Sequence, residues 1–114
     1  MRIERFEDIL SWQKSKELTL IVYREFANCC DFGFKDQIQR ASVSIMNNIA
    51  EGFERKSNNE FKQFLYIAKG SCGEVRSMLY LANELKYLSA ETGNKLFRLC
   101  LEILKLISGL IKTL

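Results

Sequence analysis

The chain has 114 residues, 47% of them hydrophobic and 27% charged, with a formal net charge of +3 at pH 7. That length suits a single domain, residues 1–114, with a real core, and the mild basic excess permits an anionic partner without demanding one. Histidine is absent, which removes Ser–His and Cys–His nucleophile pairs, the usual axial ligand of haem and the Glu-x-x-His ligands of di-iron bundles.

Proline is absent as well, which favours uninterrupted helices, because proline removes a backbone donor and breaks helix interiors. The opening MRIERFEDIL is rich in charge before any apolar run, unlike a signal peptide. It is expected to be a lead-in whose Phe6, Ile9 and Leu10 tuck against the rest. A first helix is predicted over about residues 11–29, its apolar stripe formed by Trp12, Leu18, Val22 and Phe26 and widened by Ile21. Asp31-Phe-Gly-Phe34 is the expected break, with Gly33 free to take positive φ.

The second helix is predicted over about 35–54, where Ile38, Ser42, Ile45, Ile49 and Phe53 recur at steps of four and three. Ser57 and Glu60 then fit the S-x-x-E capping box that starts a helix. The third helix, about 58–87, carries Phe61, Leu65, Ala68, Cys72, Val75, Leu79 and Ala82 in strict four-three spacing. Ser89 is the expected N-cap of a fourth helix over about 90–113, with Leu96, Cys100, Ile103, Ile107, Leu110 and Leu114 as its seam. Four amphipathic helices on short connections predict an all-α, up-and-down antiparallel four-helix bundle.

The four cysteines, Cys29, Cys30, Cys72 and Cys100, form no CxxC or framework spacing. They are read as reduced, mostly small core residues, which implies a reducing compartment and a cytoplasmic location. The greasy stretch Leu96–Leu114 is interrupted by Arg98, Glu102, Lys105 and Lys112, so no membrane span is expected. It still holds 12 apolar residues in 19, more than one core-facing stripe uses. Leu99 and Leu106 lie a heptad apart and off the seam centre, which marks them as candidates for an oligomer interface. The alternative is a small bundle that wraps this helix on two sides.

No phosphate-cradling glycine motif occurs, and Gly70-Ser-Cys-Gly73 falls inside the third helix. Each glycine there costs about 1 kcal/mol against alanine, and the expected return is close approach of a neighbouring backbone. Asn47, Asn48 and Glu51 form a polar cluster near the end of the second helix. It reads either as a network that sets helix register or as a small polar ligand pocket.

One feature points to a partner. Arg55, Lys62, Lys69 and Arg76 are spaced seven apart, Lys56 adds to their N-terminal end, and Tyr66, Tyr80 and Tyr87 interleave. Such cations contact phosphates and such rings stack on unpaired bases. A solvated helix flank has the same make-up, with lysine stems and tyrosine rings covering apolar surface.

Phe6-Glu-Asp-Ile-Leu-Ser-Trp12, Gln37 to Ile45 (QIQRASVSI), Asn48-Ile-Ala-Glu-Gly52 with Arg55, and Phe64-Leu-Tyr-Ile-Ala-Lys-Gly-Ser71 with Glu74 resemble a bacterial four-helix-bundle family. That family is named for proteins encoded in intervening sequences of 23S ribosomal RNA genes, and the match runs in order along nearly the whole chain. The resemblance implies a homo-pentameric ring. It also implies distant kinship with accessory proteins of diversity-generating retroelements, which bind nucleic acid and a reverse transcriptase through a basic surface. The family's recurring polar positions fall on Arg40, Ser44, Asn48, Glu51, Gly52, Arg55, Gly70, Ser71 and Glu74, with no catalytic role attached. Of these, Arg40, Asn48, Glu51 and Glu74 are the expected structural polar network. Cys72-Gly73 departs from the bulkier apolar residues usual in the family pattern.

The expectation is therefore a non-enzymatic oligomeric accessory protein with no cofactor and no metal. It would bind RNA or DNA through Arg55, Lys56, Lys62, Lys69 and Arg76, with a protein-interaction scaffold as the alternative.

Overall fold

The computed structural model describes residues 3–114, and among them are four α-helices, one short 3-10 turn and no strand. Phe6–Asp8 forms the 3-10 turn, followed by α1 (Leu10–Glu25), α2 (Phe32–Phe53), α3 (Asn58–Glu84) and α4 (Ala90–Lys112). A helix rises about 1.5 Å per residue, so the 27 residues of α3 match the 42 Å long axis of the molecule. The other two axes are only 22 and 19 Å, so all four helices lie side by side and the chain reverses at each short connection. Each helix packs on its neighbours in chain order, α4 closes on α1, and the backbones of the diagonal pairs lie farther apart. This is an all-α up-and-down four-helix bundle.

The core follows the predicted seams. All seven α3 seam residues are buried, as are Ile38, Ser42, Ile45 and Ile49 of α2 and Leu96, Cys100, Ile103 and Ile107 of α4. In α1 the buried side is broader than its apolar stripe, because Ser11, Ser15 and Thr19 are also buried. The Thr19 hydroxyl donates to the backbone carbonyls of Ser15 and of Ser42 on α2. Ser15 donates to the carbonyl of Ser11. Small hydroxyl residues thus let α1 and α2 approach, with the Ser15 and Thr19 donors satisfied and the buried Ser11 hydroxyl without a partner among the described residues.

Helix ends differ from the sequence reading where capping chemistry decides. Asp31 is the N-cap of α2, its carboxylate accepting from the Phe34 amide at 3.2 Å. Gly33 therefore sits in the first helical turn, and no glycine among the described residues takes positive φ. α1 stops at Glu25, short of the expected 29, where Phe26 is fully buried and Phe26–Asn28 turn. The Lys35 ammonium donates to the Ala27 carbonyl across this connection at 2.9 Å. Ser57 caps α3 by accepting from the Glu60 amide, and its hydroxyl donates to the Glu60 carboxylate rather than leaving that side chain to reach the cap's own amide. Ser89 caps α4 as expected.

α3 ends at Glu84 instead of 87 because a Schellman turn closes it. The Tyr87 amide donates to the Ala82 carbonyl and the Lys86 amide to that of Asn83, with Lys86 in the left-handed region at φ 60°. That position normally takes glycine. Lys86→Gly should raise stability by about 0.5–1 kcal/mol by removing the Cβ strain, read as a higher urea midpoint at unchanged slope. Unaltered stability would show that the turn holds lysine without strain.

Tyr87 also ties the α3–α4 connection to the α1–α2 connection, its hydroxyl donating to Asp31 at 2.7 Å. That bond, and secondly the Phe34 amide, holds the Asp31 carboxyl below its ordinary value of 3.8, while the bond to Asp31 raises the Tyr87 hydroxyl above 10.0. A lowered carboxyl contributes stability above its ordinary value and loses it as pH falls through the folded one; a raised hydroxyl contributes below its ordinary value and loses it as pH rises. The Tm advantage of the native protein over Tyr87→Phe should therefore be widest between about pH 4 and 10 and shrink on both sides. A constant difference from pH 2 to 12 would contradict the assignment.

Candidate nucleic-acid interface

The five expected phosphate-contacting residues divide into two groups. Lys62, Lys69 and Arg76 lie on one flank of α3, where their stems are half-buried. This flank turns toward α4, as its aromatic neighbours establish. The Arg76 guanidinium lies 5.7 Å from the Phe97 ring centre, and Tyr80 meets the same ring edge-on at 5.0 Å. Among the described residues none of these three cations has a carboxylate within ion-pair distance. Their charge is available to an external anion. The Arg76 Nε is itself buried without a hydrogen-bond partner.

Arg55 and Lys56 stand apart from that row at the end of the bundle. Arg55 precedes α3, pairs with Glu51 at 3.5 Å and stacks on Phe64 at 4.8 Å. Phe64 is on the opposite flank of α3, so the seven-residue spacing between Arg55 and Lys62 does not carry through the helix start. Arg55 and Lys56 instead border an end groove with Ile3 and Leu114. Tyr66 and Tyr80 stay with the cation row, 57% and 61% exposed. Tyr87 leaves it, because it lies past the helix end and bonds Asp31.

A second basic row escaped the sequence reading. Arg98, Lys105 and Lys112 repeat at the same seven-residue interval along the exposed side of α4. The signal was the spacing itself, hidden among the leucines and isoleucines of that helix.

The polar network is smaller than expected and differently composed. Asn48 Nδ2 donates to the carbonyl and hydroxyl oxygens of Ser44 at 2.8 and 3.0 Å, and the Ser44 and Ser71 hydroxyls share a hydrogen bond of 2.8 Å between α2 and α3. Gln37 donates to Glu74 at 3.2 Å across the same interface. Arg40 and Glu51 do not join: Arg40 is exposed and pairs with Asp36 one turn away, and Glu51 pairs with Arg55. This arrangement ties α2 to α3.

Glycine and cysteine positions also sort differently. The close approach belongs to Gly52, where an added Cβ would stand 2.6 Å from the Phe64 Cβ. At Gly70 and Gly73 it would meet no atom within 4 Å, so no neighbouring backbone in this chain explains those two. All four cysteines are free thiols; Cys72 and Cys100 are in the core, Cys29 is half-buried and Cys30 is exposed. The Cys72 thiol donates to the Cys100 carbonyl. The Cys100 thiol is held far above its ordinary range, first by its bond to Cys72 and then by burial.

The surplus on α4 is largely absorbed within the chain, since α4 packs against both α3 and α1. Leu99, an expected interface residue, is only 8% exposed and belongs to the core, which leaves it no free side. Leu106 is half-buried and borders a groove with Ile9 and with Leu10 at the start of α1. Exposed apolar side chains are spread over all four helices, Leu20, Phe32 and Leu101 among them, and on the outer side of α3 Ile67 and Leu81 share a row with Gly70 and Glu74. No helix among the described residues is long and apolar enough to cross a membrane.

No curated protein matches the chain. Among solved structures, the crystal structure of a protein of unknown function from the S23 ribosomal protein family of Bacteroides thetaiotaomicron VPI-5482 is similar, at 28% identity and a TM-score of 0.84. The alignment covers 90% of this chain and 99% of that one. The resemblance read from the QIQRASVSI, NIAEG and FLYIAKGS segments extends across the bundle: residues 7–109 match the family of 23S rRNA-intervening sequence proteins, and the chain belongs to that family.

Proposed function

We propose that this protein is a non-enzymatic, cytoplasmic, oligomeric accessory protein that binds nucleic acid along the α3–α4 side of its bundle. The observation that carries this reading is the row Lys62, Lys69 and Arg76, three cations with no carboxylate partner among the described residues and flanked by exposed Tyr66 and Tyr80. Phosphates neutralise such a row, and aromatic rings beside it stack on unpaired bases. Arg98, Lys105 and Lys112 widen the positive surface. Arg55 and Lys56 contribute at its end, Arg55 weakly because Glu51 already pairs with it.

Self-association involves the opposite side, where Ile67, Gly70 and Leu81 present an apolar row over a helix surface free of bulk. Exposed apolar surface of this kind is a common mark of an interface. The family resemblance favours five copies in a ring. Light scattering on the purified protein tests that number, and a monomer at micromolar concentration would exclude the ring.

Labelled single-stranded RNA and DNA titrated at two salt concentrations test the main reading. Affinity should fall steeply with salt, because each neutralised phosphate releases counterions. No binding at low salt would sink the proposal. The same α3 row of Ile67, Gly70 and Leu81 favours a second reading, a scaffold for another polypeptide. In that case Lys62→Glu with Lys69→Glu leaves partner capture intact.

A further inference from the structure

Cys72 and Cys100 are seam residues of α3 and α4, and both are fully buried free thiols. Two small apolar side chains would fill the same places, since a buried thiol packs as a small hydrophobe. These two sulfurs do more than pack. The Cys72 thiol donates to the Cys100 carbonyl, with 3.4 Å between sulfur and oxygen. The Cys100 thiol in turn donates to the Cys72 sulfur. Arg76, one helical turn beyond Cys72, adds its positive charge to the pair. The bond from Cys100 is the main reason that Cys72 stands below the ordinary thiol value of 9.0, with burial opposing and Arg76 assisting. The bond to Cys72, and then burial, push Cys100 the other way. The two thiols therefore differ in how readily they ionise, and the thiolate is the reactive form.

We propose that Cys72 and Cys100 form an oxidisable dithiol, a site where hydrogen peroxide drives formation of a disulfide between α3 and α4. Cys72 reacts first. Its thiolate attacks one peroxide oxygen, the O–O bond breaks, and the departing hydroxide takes up the Cys72 proton as water, which leaves a sulfenic acid on Cys72. The Cys100 sulfur then attacks the Cys72 sulfur, the S–O bond breaks, and a second hydroxide leaves as water with the Cys100 proton. Two thiols lose two electrons between them, and one peroxide becomes two waters. Because both side chains are shielded from solvent, a water-sized oxidant reaches them as α3 and α4 open locally, and bulkier reagents do not. Disulfides in reducing compartments are usually transient and redox-sensing, which is the role this pair fits. The inference stands apart from the nucleic-acid reading.

The full chain carrying Cys29→Ser and Cys30→Ser tests it, because only the core pair then remains. After hydrogen peroxide, unfolding in N-ethylmaleimide should leave the protein unlabelled and lighter by two hydrogens, and dithiothreitol should restore labelling of both thiols. Trypsin should release residues 70–76 joined to residues 99–105, since cleavage follows Lys69, Arg76, Arg98 and Lys105. The oxidised protein should unfold at a higher urea midpoint, because the bridge closes a loop in the unfolded chain, and dithiothreitol should abolish the gain. Full labelling of both thiols after peroxide, or a bridge that lowers the urea midpoint, overturns the inference.

The order of attack has its own readout. In the same background Cys100→Ala should halt at the sulfenic acid on Cys72, trapped as a dimedone adduct, and Cys72→Ala should lose the adduct. Cys100→Ser serves in place of Cys100→Ala if the alanine variant lacks a cooperative urea transition. A dimedone adduct on Cys100 that survives Cys72→Ala would put the first attack on the other sulfur and overturn the mechanism.

Discussion

Gly52→Ala should destabilise the protein by about 2 kcal/mol, whereas Gly70→Ala and Gly73→Ala should each stabilise the isolated fold by up to about 1 kcal/mol. The same substitution has opposite signs for a geometric reason. At Gly52 the new methyl would lie 2.6 Å from the Phe64 Cβ, 3.0 Å from the Phe61 ring and 3.3 Å from the Phe64 Cγ. A Cβ cannot swing aside as the tip of a long side chain can, so α2 and α3 must separate near this crossing. Overpacking of this kind costs about 1–3 kcal/mol, and a gain in helix propensity offsets part of it. At Gly70 and Gly73 only the propensity gain remains. Urea unfolding of dilute protein reads all three, with the midpoint moving and the slope constant. A neutral Gly52→Ala would show that the crossing has slack. If the Gly70 variant is more stable as a fold yet loses oligomer by light scattering, the glycine serves the interface between copies.

The second large effect concerns Lys62→Glu combined with Lys69→Glu, which should weaken nucleic-acid binding by about a hundredfold at moderate salt. With two phosphates no longer neutralised, the dependence of log affinity on log salt should also flatten by about 1.8 for duplex DNA and about 1.4 for a single strand. The like charges introduced would repel phosphates that the lysines attract, so reversal should exceed neutralisation. Arg55→Ala should do far less, because Arg55 is held by Glu51 at 3.5 Å and by the Phe64 ring. The variants must keep native helix content and oligomer size for the comparison to count. Equal losses from Arg55→Ala and the double reversal would move the binding surface to the bundle end.

Much of the architecture was legible because buried and exposed sides repeat at different phases of a helical period. Phe61 to Ala82 follow a four-three rhythm that only a helix with one apolar side produces, and every one of those seam residues is buried. Ser57 and Ser89 could be placed because a cap is a local hydrogen bond between residues three apart. Gly33 misled for a local reason too: glycine permits a break, but the Asp31 carboxylate on the Phe34 amide starts the helix ahead of it. Lys86 hides the end of α3, since nothing about a lysine announces a left-handed turn.

The basic row Lys62, Lys69 and Arg76 could be read from spacing, because seven residues return a helix to nearly the same side. What packs beside that row could not. Phe97, Asn83 and Asn94 meet Tyr80 only once α3 and α4 lie antiparallel, and no interval along the chain encodes that meeting. Leu99 shows the same limit: its position off the seam looked free, yet a helix with neighbours on two sides buries a wider arc than one stripe. Periodicity sufficed for the four-helix bundle and its core, since both follow from each helix's own phase. The fate of each flank, whether core, ion pair, basic surface or open slot, depended on which neighbour covers it, and only the packed fold specifies that.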